Sequence, residues 1–329
     1  MKYIIVGGQY GDEGKGKIIS YLALKDNFEV ITRAGVGPNA GHKIIWKGTE
    51  YGLRMVPCGF VNENARLLIG AGVLISPERF FFEAELTNSK KRIGIDYRAT
   101  VILPKHLECD KNENSKKIGT TGKGCGPAIA DRVNRTAVLV SEIPELKPFL
   151  TDVAKEVNEA KNVLIEGSQG FMLSLLYGTY PFVTSKDTTA STVAADVGLG
   201  PKAIDEVIMV IKSYTTRVGN GPFKSEISTE EAVKLNYQEY GTVTGRPRRI
   251  SKDLHFDDLR LAAKINSATQ IAITKIDIKF PGNANVRKFK NLTPDAQDFI
   301  KLVEKEISVP VTLIGTGPNV EDIIDLRYS

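Results

Sequence analysis

The stretch Ile4–Lys17, with the sequence IIVGGQYGDEGKGK, constrains the fold of this chain most. Four apolar residues, Tyr3–Val6, are typical of a buried strand, and five glycines precede the next apolar run at Ile18. The pattern predicts a strand, a glycine-rich loop and a helix start, where backbone N–H groups face an anion such as phosphate. Lys15 or Lys17 can neutralise the remaining charge. A glycine-rich turn with solvated charges is the alternative.

Two features distinguish this loop from an ordinary phosphate-binding loop. Gly11 to Lys17 match the spacing G-x-x-x-x-G-K, but Ile18 stands where a Mg²⁺-binding Ser or Thr should follow. Asp12 adds a carboxylate where phosphates should lie. Such an anion requires either a metal ion or a proton to remove. We therefore predict a chemical role for Asp12.

Composition places few limits on function. The chain has 329 residues, 42% hydrophobic and 25% charged, and its net charge of +5 suits an anionic small molecule as well as a polynucleotide. Cys58, Cys109 and Cys125 form no paired motif, which favours a reducing compartment over a disulfide framework or a zinc site. Because the first glycines come too early for a signal peptide and no apolar run approaches the ~20 residues of a membrane span, we predict a cytoplasmic protein without membrane contact.

Three further segments combine glycine with functional side chains. Ala34–His42 (AGVGPNAGH) ends in one of three histidines, which has either a catalytic or a structural role. Ile118–Ala128 (IGTTGKGCGPA) offers hydroxyls and backbone donors to an anion, or serves as a hinge. GSQG follows the predicted strand Asn162–Glu166 and lets a ligand approach Gln169.

Two later segments indicate nucleotide recognition. Gly241–Arg249 (GTVTGRPRR) concentrates three arginines, and the absence of interleaved aromatic residues favours a clamp for a small anion over a nucleic-acid surface. Thr274–Asp277 (TKID) follows the predicted strand Ile271–Thr274. A carboxylate there can accept the N1–H and amino donors of guanine, while Lys275 lies along the base.

Predicted strands and helices alternate along the chain, without repeats or low-complexity linkers. The remaining predicted strands are Glu29–Arg33, Arg66–Gly70, Val207–Ile211 and Val311–Ile314, and the predicted helices include Lys17–Leu24, Pro77–Thr87 and Pro294–Ile307, with Pro104–Lys117 as a polar loop. We predict an α/β fold with a mostly parallel central sheet, helices on both faces, and ligands at the strand carboxyl ends. We treat residues 1–329 as a single domain.

Nine motifs, taken together, resemble the adenylosuccinate synthetase family. They are GDEGKGK, NAGH, IGTTGKGCGP, EGSQG, GTYPFVTS, TRVGNGPF, TGRPRR, TKID and GTGP, in the family's order between residues 7 and 318. The resemblance implies a GTP-dependent ligase that joins L-aspartate to IMP through a 6-phosphoryl intermediate, with GTP bound at a phosphate-loop-like site. Short segments between Arg135 and Glu166 and between Asp277 and Gly315 resemble a compact form.

The resemblance also implies roles for individual residues. Asp12 would be the base and His42 the acid, and Asp12 with the carbonyl of Gly41 would hold Mg²⁺. GTP would be bound by Gly11, Glu13, Gly14, Lys15, Gly16, Lys17, Gly41, Arg248, Lys275, Asp277, Gly315, Thr316 and Gly317. IMP would be bound by Asp12, Asn39, Thr121, Arg135, Gln169, Thr184 and Arg246, and aspartate by Thr242, Val243, Thr244, Gly245 and Arg246.

Arg135 would act in trans, across a homodimer. Val243 and Gly315 depart from the hydroxyl residues usual in the family, and Pro247 interrupts the arginine run. A regulatory GTPase would share the phosphate loop and TKID, but it would have a hydroxyl residue at Ile18 and no use for Asp12 or His42. A nucleic-acid-binding protein would explain the net charge and Gly241–Arg249, but it would bind long polynucleotides in a strongly salt-dependent way, and we expect no nucleic-acid partner.

Overall fold

The computed structural model describes residues 1–241, 245 and 247–328. The strands are β1 (Lys2–Gly7), β2 (Val30–Arg33), β3 (His42–Trp46), β4 (Thr49–Leu53), β5 (Arg66–Ile69), β6 (Leu74–Ile75), β7 (Ile93–Asp96), β8 (Thr100–Val101), β9 (Leu150–Thr151), β10 (Val163–Glu166), β11 (Glu206–Lys212), β12 (Thr215–Arg217), β13 (Arg249–Ser251), β14 (Gln270–Thr274), β15 (Val311–Gly315) and β16 (Ile323–Asp325). The α-helices are α1 (Lys15–Lys25), α2 (Pro77–Leu86), α3 (Pro104–Cys109), α4 (Glu113–Ile118), α5 (Cys125–Asn134), α6 (Val153–Glu159), α7 (Ala190–Asp196), α8 (Thr229–Lys234), α9 (Phe256–Asn266), α10 (Ile276–Lys279) and α11 (Pro294–Ile307).

The central sheet contains ten strands in the order β16-β15-β14-β11-β1-β10-β2-β5-β7-β9. Only β16 is antiparallel to its neighbour among the strands of the described sheet. The strand that leads into the glycine-rich loop, β1, lies in the middle. This confirms the predicted mostly parallel sheet, and it places the carboxyl ends of β1, β10, β11, β14 and β15 along one edge.

Side chains that alternate along the strands pack into two hydrophobic cores, one on each face of the sheet. On β1, Ile5 packs into a core that also contains Ile18 of α1, whereas Ile4 and Val6 pack on the other face. That second core is covered by α6, α7, α9 and α11. Because side chains alternate along a strand, a buried parallel sheet needs helices on both faces, as predicted.

For the strands of the central sheet that were predicted, and for helices α1, α2 and α11, the predicted ends lie within two residues of the observed ends. The prediction of a loop over Pro104–Lys117 was wrong, because α3 and α4 occupy it. Pro104 starts α3, and the side chain of Asn112 caps α4 by accepting a hydrogen bond from Ser115 N at 2.8 Å. No residue of α4 is buried, so its sequence lacks apolar periodicity.

Candidate active site

The glycine-rich loop joins β1 to α1 and is shaped by its own carboxylate. Glu13 is fully buried and accepts the N–H groups of Gln9 (3.0 Å) and Gly11 (2.8 Å). Its second oxygen, Oε2, accepts Lys15 Nζ at 2.6 Å. The side chain of Glu13 therefore binds within the loop. Only the backbone of Glu13 is left to contact a phosphate.

Two glycines in this loop adopt left-handed backbone conformations, Gly11 with φ 92° and Gly14 with φ 88°. Gly16 allows a close approach, since a Cβ there would lie 3.0 Å from both Cβ of His42 and Sγ of Cys58. The loop and the histidine motif are thus packed side by side, although Gly16 and His42 are 26 positions apart in the sequence.

Asp12 is surrounded by donors on one side only. Its Oδ2 accepts the hydroxyl of Thr216 and lies 3.1 Å from Nε of Arg248 and 3.9 Å from Nζ of Lys212. Its Oδ1 is buried and has no hydrogen-bond partner within the described part of the chain. Because a buried acceptor without a partner is costly, this oxygen is suited to a ligand.

The partly buried carboxylate of Glu239 contacts the cations next to Asp12. It accepts Lys212 Nζ at 2.9 Å, the hydroxyl of Tyr214 and the guanidinium of Arg248, and Lys275 Nζ lies 3.7 Å away. Burial raises the pKa of this carboxyl, but the surrounding cations outweigh it and leave the pKa well below its usual range. The Arg248 N–H also donates to the Glu239 carbonyl at 2.9 Å, so Glu239 anchors the segment that follows it.

His42 is oriented by a buried ion pair at the ends of two strands. Its Nδ1 lies 2.5 Å from Oε1 of Glu166 at the end of β10 and 3.0 Å from Nη1 of Arg33 at the end of β2. Arg33 and Glu166 are themselves 2.5 Å apart, and the Cys58 N–H donates to Glu166 Oε2 at 2.6 Å. Since Nδ1–H donates to the carboxylate, Nε2 is the free nitrogen, and it is buried without a partner among the described residues.

The pKa values of this group follow from its burial and from Arg33. Burial, and then the neighbouring Arg33, lower the pKa of His42 to about 4. Burial opposes ionisation of Glu166, but Arg33 and His42 outweigh it and lower its pKa to about 2. Burial, and then the Glu166 charge, raise the pKa of the Cys58 thiol well above its ordinary value. At neutral pH the group is therefore a neutral imidazole held by an anion, beside an unreactive thiol.

Four of the residues predicted to bind IMP line one cavity of about 500 Å³. They are Asn39, Thr121, Gln169 and Thr184. Asn39 links two of them, because its Nδ2 donates to Thr184 Oγ1 at 3.2 Å and its Oδ1 accepts Gln169 Nε2 at 3.0 Å. Gln169 has φ 57°, a strained backbone angle that brings its side chain into this group.

Arg135 lies apart from that cavity. It follows α5 as an exposed cap with φ 65°. Its guanidinium makes no hydrogen bond or ion pair with the residues that the structure describes. Within this chain, Arg135 therefore does not join the other predicted IMP residues at the cavity.

The segments predicted to bind guanine follow two neighbouring strands. Lys275 and Asp277 come directly after β14, and Gly315–Gly317 end and follow β15. Burial raises the pKa of Asp277, while Lys275 opposes this shift. Gly317 has no room for a side chain, since a Cβ there would lie 2.6 Å from Oδ2 of Asp322.

The predicted aspartate-binding loop falls largely outside the described residues. Thr242, Val243, Thr244 and Arg246 are not described, while Gly245 adopts φ 64°. The stem of the loop is described: Tyr240 forms an antiparallel bridge with Pro247. Arg248, which directly follows this bridge, lies against Asp12, so the described stem is next to the predicted base.

The sequence did not predict a role for several charged and hydroxyl side chains of this site. They are Arg33, Glu166, Lys212, Thr216 and Glu239. Arg33, Glu166 and Lys212 share one sequence signal, because each is the polar last residue of a buried strand. Glu239 has no such signal, since its partners come from distant segments.

Together these features define an α/β nucleotide-binding enzyme, with a phosphate-binding loop, a buried carboxylate and a buried imidazole at one sheet edge. The family model for adenylosuccinate synthetase matches residues 4–153 and 139–281. An adenylosuccinate synthetase from Thermococcus sibiricus is 56% identical over 99% of this chain and 98% of its own length. One from Archaeoglobus fulgidus is 56% identical over 98% of each.

Solved structures agree with this assignment. The fully ligated adenylosuccinate synthetase from Plasmodium falciparum has a TM-score of 0.90 at 27% identity, covering 98% of this chain and 99% of that one. The cyanophage S-2L succinoaminodeoxyadenylate synthetase, solved with dGMP and dATP, has a TM-score of 0.81 at 25% identity over 99% and 95%. This chain belongs to the adenylosuccinate synthetase family. It is a GTP-dependent carbon–nitrogen ligase of purine biosynthesis that forms adenylosuccinate from IMP and L-aspartate.

Among residues 1–241, 245 and 247–328, no helix is long and apolar enough to cross a membrane.

Proposed function

We propose that this chain performs the ligation in two displacements at the carboxyl edge of the central sheet. In the first, Asp12 takes the N1 proton of IMP, and the resulting O6 anion attacks the γ-phosphate of GTP, releasing GDP. In the second, the amine of aspartate attacks C6 and phosphate leaves with the former O6. The observation that carries the proposal is that Oδ1 of Asp12 and Nε2 of His42 are buried without partners among the described residues, beside one glycine-rich loop.

The contacts of Asp12 suit a general base. Thr216, Arg248 and Lys212 stabilise its Oδ2, which leaves Oδ1 free for a proton. A positioned base of this kind typically contributes about 10²–10⁴-fold to a rate.

His42 would act on the group that is transferred. With a pKa lowered to about 4, its imidazole is neutral before substrates bind. A phosphoryl anion placed against Nε2 raises the proton affinity of the ring, so that Nε2–H can donate to the phosphoryl oxygens. Glu166, 2.5 Å from Nδ1, would stabilise the imidazolium that forms. The ring would take this proton from solvent and pass it to the departing phosphate as the second displacement ends.

The residues around Asp12 fit a Mg²⁺ ion. Asp12 would offer Mg²⁺ the carboxylate oxygen that does not take the proton, and the Gly41 carbonyl would add a second oxygen of the hard kind that Mg²⁺ prefers. When bound, the ion would neutralise phosphate charge in the transition state. Mg²⁺ is thus part of the proposal.

The cavity lined by Asn39, Thr121, Gln169 and Thr184 would hold IMP. The linked amides of Asn39 and Gln169 supply donors and acceptors to a nucleotide, and Thr121 belongs to a glycine-rich anion-binding segment. Arg135 is exposed and outside this cavity, which supports a homodimer in which it reaches the partner's IMP.

GTP would extend from the phosphate loop to Asp277. Lys15 and the loop N–H groups would contact phosphates, and Arg248 would turn from Asp12 toward GTP. Asp277, Lys275 and the Gly315–Gly317 segment would enclose guanine, whose two donors match a carboxylate. We assign aspartate to Thr242–Arg246.

Two broader features belong to the same proposal. The proposed site draws on residues from Asp12 to Gly317, which supports treating residues 1–329 as one synthetase domain. Cys58, Cys109 and Cys125 are free thiols, which suits a reducing cytoplasm.

The direct test is phosphate release from GTP by the purified protein, measured with IMP, aspartate or both. We expect release only when both are present, together with a product that absorbs as adenylosuccinate. Release with GTP alone would instead indicate a GTPase and would overturn the proposal.

A further inference from the structure

Lys17 occupies the lysine position of the G-x-x-x-x-G-K spacing, yet its ammonium faces away from the phosphate loop. Its Nζ donates to the carbonyls of Gly317 at 2.6 Å and of Asp322 at 2.7 Å, about 300 residues further along the chain. Lys15, by contrast, donates to Glu13 and Gly11 within the loop. Two lysines of one motif therefore serve different parts of the site.

Both carbonyl acceptors of Lys17 belong to the segment that follows β15, here called the base loop (residues 315–322). The base loop folds tightly around the ammonium. The Thr316 N–H donates to the same Asp322 carbonyl at 2.9 Å, and the Asp322 carboxylate accepts the N–H of Asn319 at 2.9 Å. Lys17 is 8% exposed, so a change in the base loop would leave its charge buried.

The environment of Lys17 keeps it available for these two bonds. Burial lowers its pKa to about 8, while Asp322 and Asp277 oppose this shift. Gly315 lies directly beside the ammonium, since a Cβ at this position would be 3.4 Å from Nζ, at van der Waals contact. The lysine and the base loop are thus fitted to each other.

A second contact joins the phosphate loop to the base-binding residues. The Thr274 hydroxyl, at the end of β14, donates to the Glu13 carbonyl at 2.7 Å. Thr274 directly precedes Lys275 and Asp277. The phosphate loop therefore contacts both segments of the proposed guanine pocket, one through Thr274 and the other through Lys17.

We propose that Lys17 is a positioning residue for base selection: it holds the base loop at the distance from the phosphate loop at which Asp277 can bind guanine. The inference rests on the proposed assignment of Asp277 to the base. It predicts that Lys17 affects which purine triphosphate is used, whereas Lys15 affects all of them alike.

The test compares GTP with ITP, which lacks the exocyclic amino group of guanine, in Lys17→Met and Lys15→Met. For Lys17→Met we expect the ratio of kcat/KM for GTP to kcat/KM for ITP to fall at least about tenfold, because a displaced pocket no longer binds the exocyclic amino group of guanine. The larger part of the GTP loss should appear in KM. Lys15→Met should weaken both nucleotides equally, and Lys17→Arg should restore part of the GTP preference.

Asp277→Asn, measured beside these variants, distinguishes a wrong role for Lys17 from a wrong assignment of the guanine pocket. If Asp277→Asn lowers the GTP/ITP ratio while Lys17→Met keeps the wild-type ratio, Lys17 does not position the base and only this inference fails. If Asp277→Asn also keeps the wild-type ratio, the guanine pocket itself is misassigned and both fail. An equal loss of GTP and ITP in Lys17→Met would assign Lys17 to the phosphates. Should Lys17→Met not fold, Lys17→Gln decides, since a full wild-type ratio in that uncharged variant would overturn the inference.

Discussion

Nδ1 of His42 lies 2.5 Å from Oε1 of Glu166, and Nε2 of the same ring is buried without a partner in the described chain. The pair comes from two distant segments, the first residue of β3 and the last residue of β10. Glu166 thereby fixes which nitrogen carries the proton and which one faces the reaction. This relationship distinguishes the site from a phosphate-binding loop alone.

Replacing Glu166 with Gln should lower kcat about 10–100-fold, because the imidazolium loses its counter-charge and the tautomer is no longer fixed. KM for IMP should change little. ¹⁵N NMR of the His42 ring should show the shift in tautomer, which a purely structural role would not produce. An unchanged kcat with an unchanged ring spectrum would show that Glu166 does not position His42.

His42→Asn should reduce turnover at least about 10²-fold, because the side chain acts on the transferring phosphoryl group and not on IMP in its ground state. Calorimetry should therefore find IMP affinity close to that of the wild type. Loss of IMP binding together with activity would instead show that His42 supports the pocket structurally.

The lowered pKa of His42 also predicts a pH dependence of stability. In the folded protein the pKa of His42 is about 4, against an ordinary value of 6.5. Between pH 4 and pH 6.5 the unfolded chain therefore binds a proton at His42 that the folded chain does not bind. Stability should therefore fall as pH decreases from 6.5 toward 4, with about 2 kcal/mol lost between pH 7 and pH 5 from this group. Glu166, with a folded pKa of about 2, loses its contribution only below about pH 4.5.

Urea unfolding of wild type and His42→Asn at pH 7 and pH 5 isolates this contribution, since other groups titrate in both proteins. The wild type should lose about 2 kcal/mol more than the variant between the two pH values. Equal losses would mean that the folded protein accepts a proton on His42 in this range.

The sequence predicted the sheet and the glycine-rich segments because both depend on local patterns. Buried strands such as β1 and β14 are continuous apolar runs, and glycines mark the turns that follow them. The partners of Asp12 could not be predicted, because Arg248 and Lys212 reach it only through the sheet order. The contact of the Lys17 ammonium with the Gly317 carbonyl could not be predicted either, because the motif spacing at Lys17 is that of a phosphate-binding lysine.

Arg135 acting in trans predicts that two inactive variants can complement each other. An equal mixture of Arg135→Ala and Asp12→Ala subunits should recover about a quarter of wild-type activity, because each mixed dimer contains one site with neither defect. As a control, His42→Asn mixed with Asp12→Ala should recover nothing, since both residues act within one subunit. No recovery in the first mixture, after subunit exchange is verified by mass spectrometry, would rule out the shared site.

The most direct test of the proposed chemistry follows the oxygen at C6 of IMP. In the proposed reaction this oxygen attacks the γ-phosphate and leaves with it. IMP labelled with ¹⁸O at C6 should therefore yield inorganic phosphate that carries the label. Mass spectrometry of the phosphate after one complete reaction with GTP and aspartate makes the measurement. Label in nearly every phosphate molecule is the expected result, whereas unlabelled phosphate would contradict phosphorylation of O6 and with it the roles proposed for Asp12 and His42.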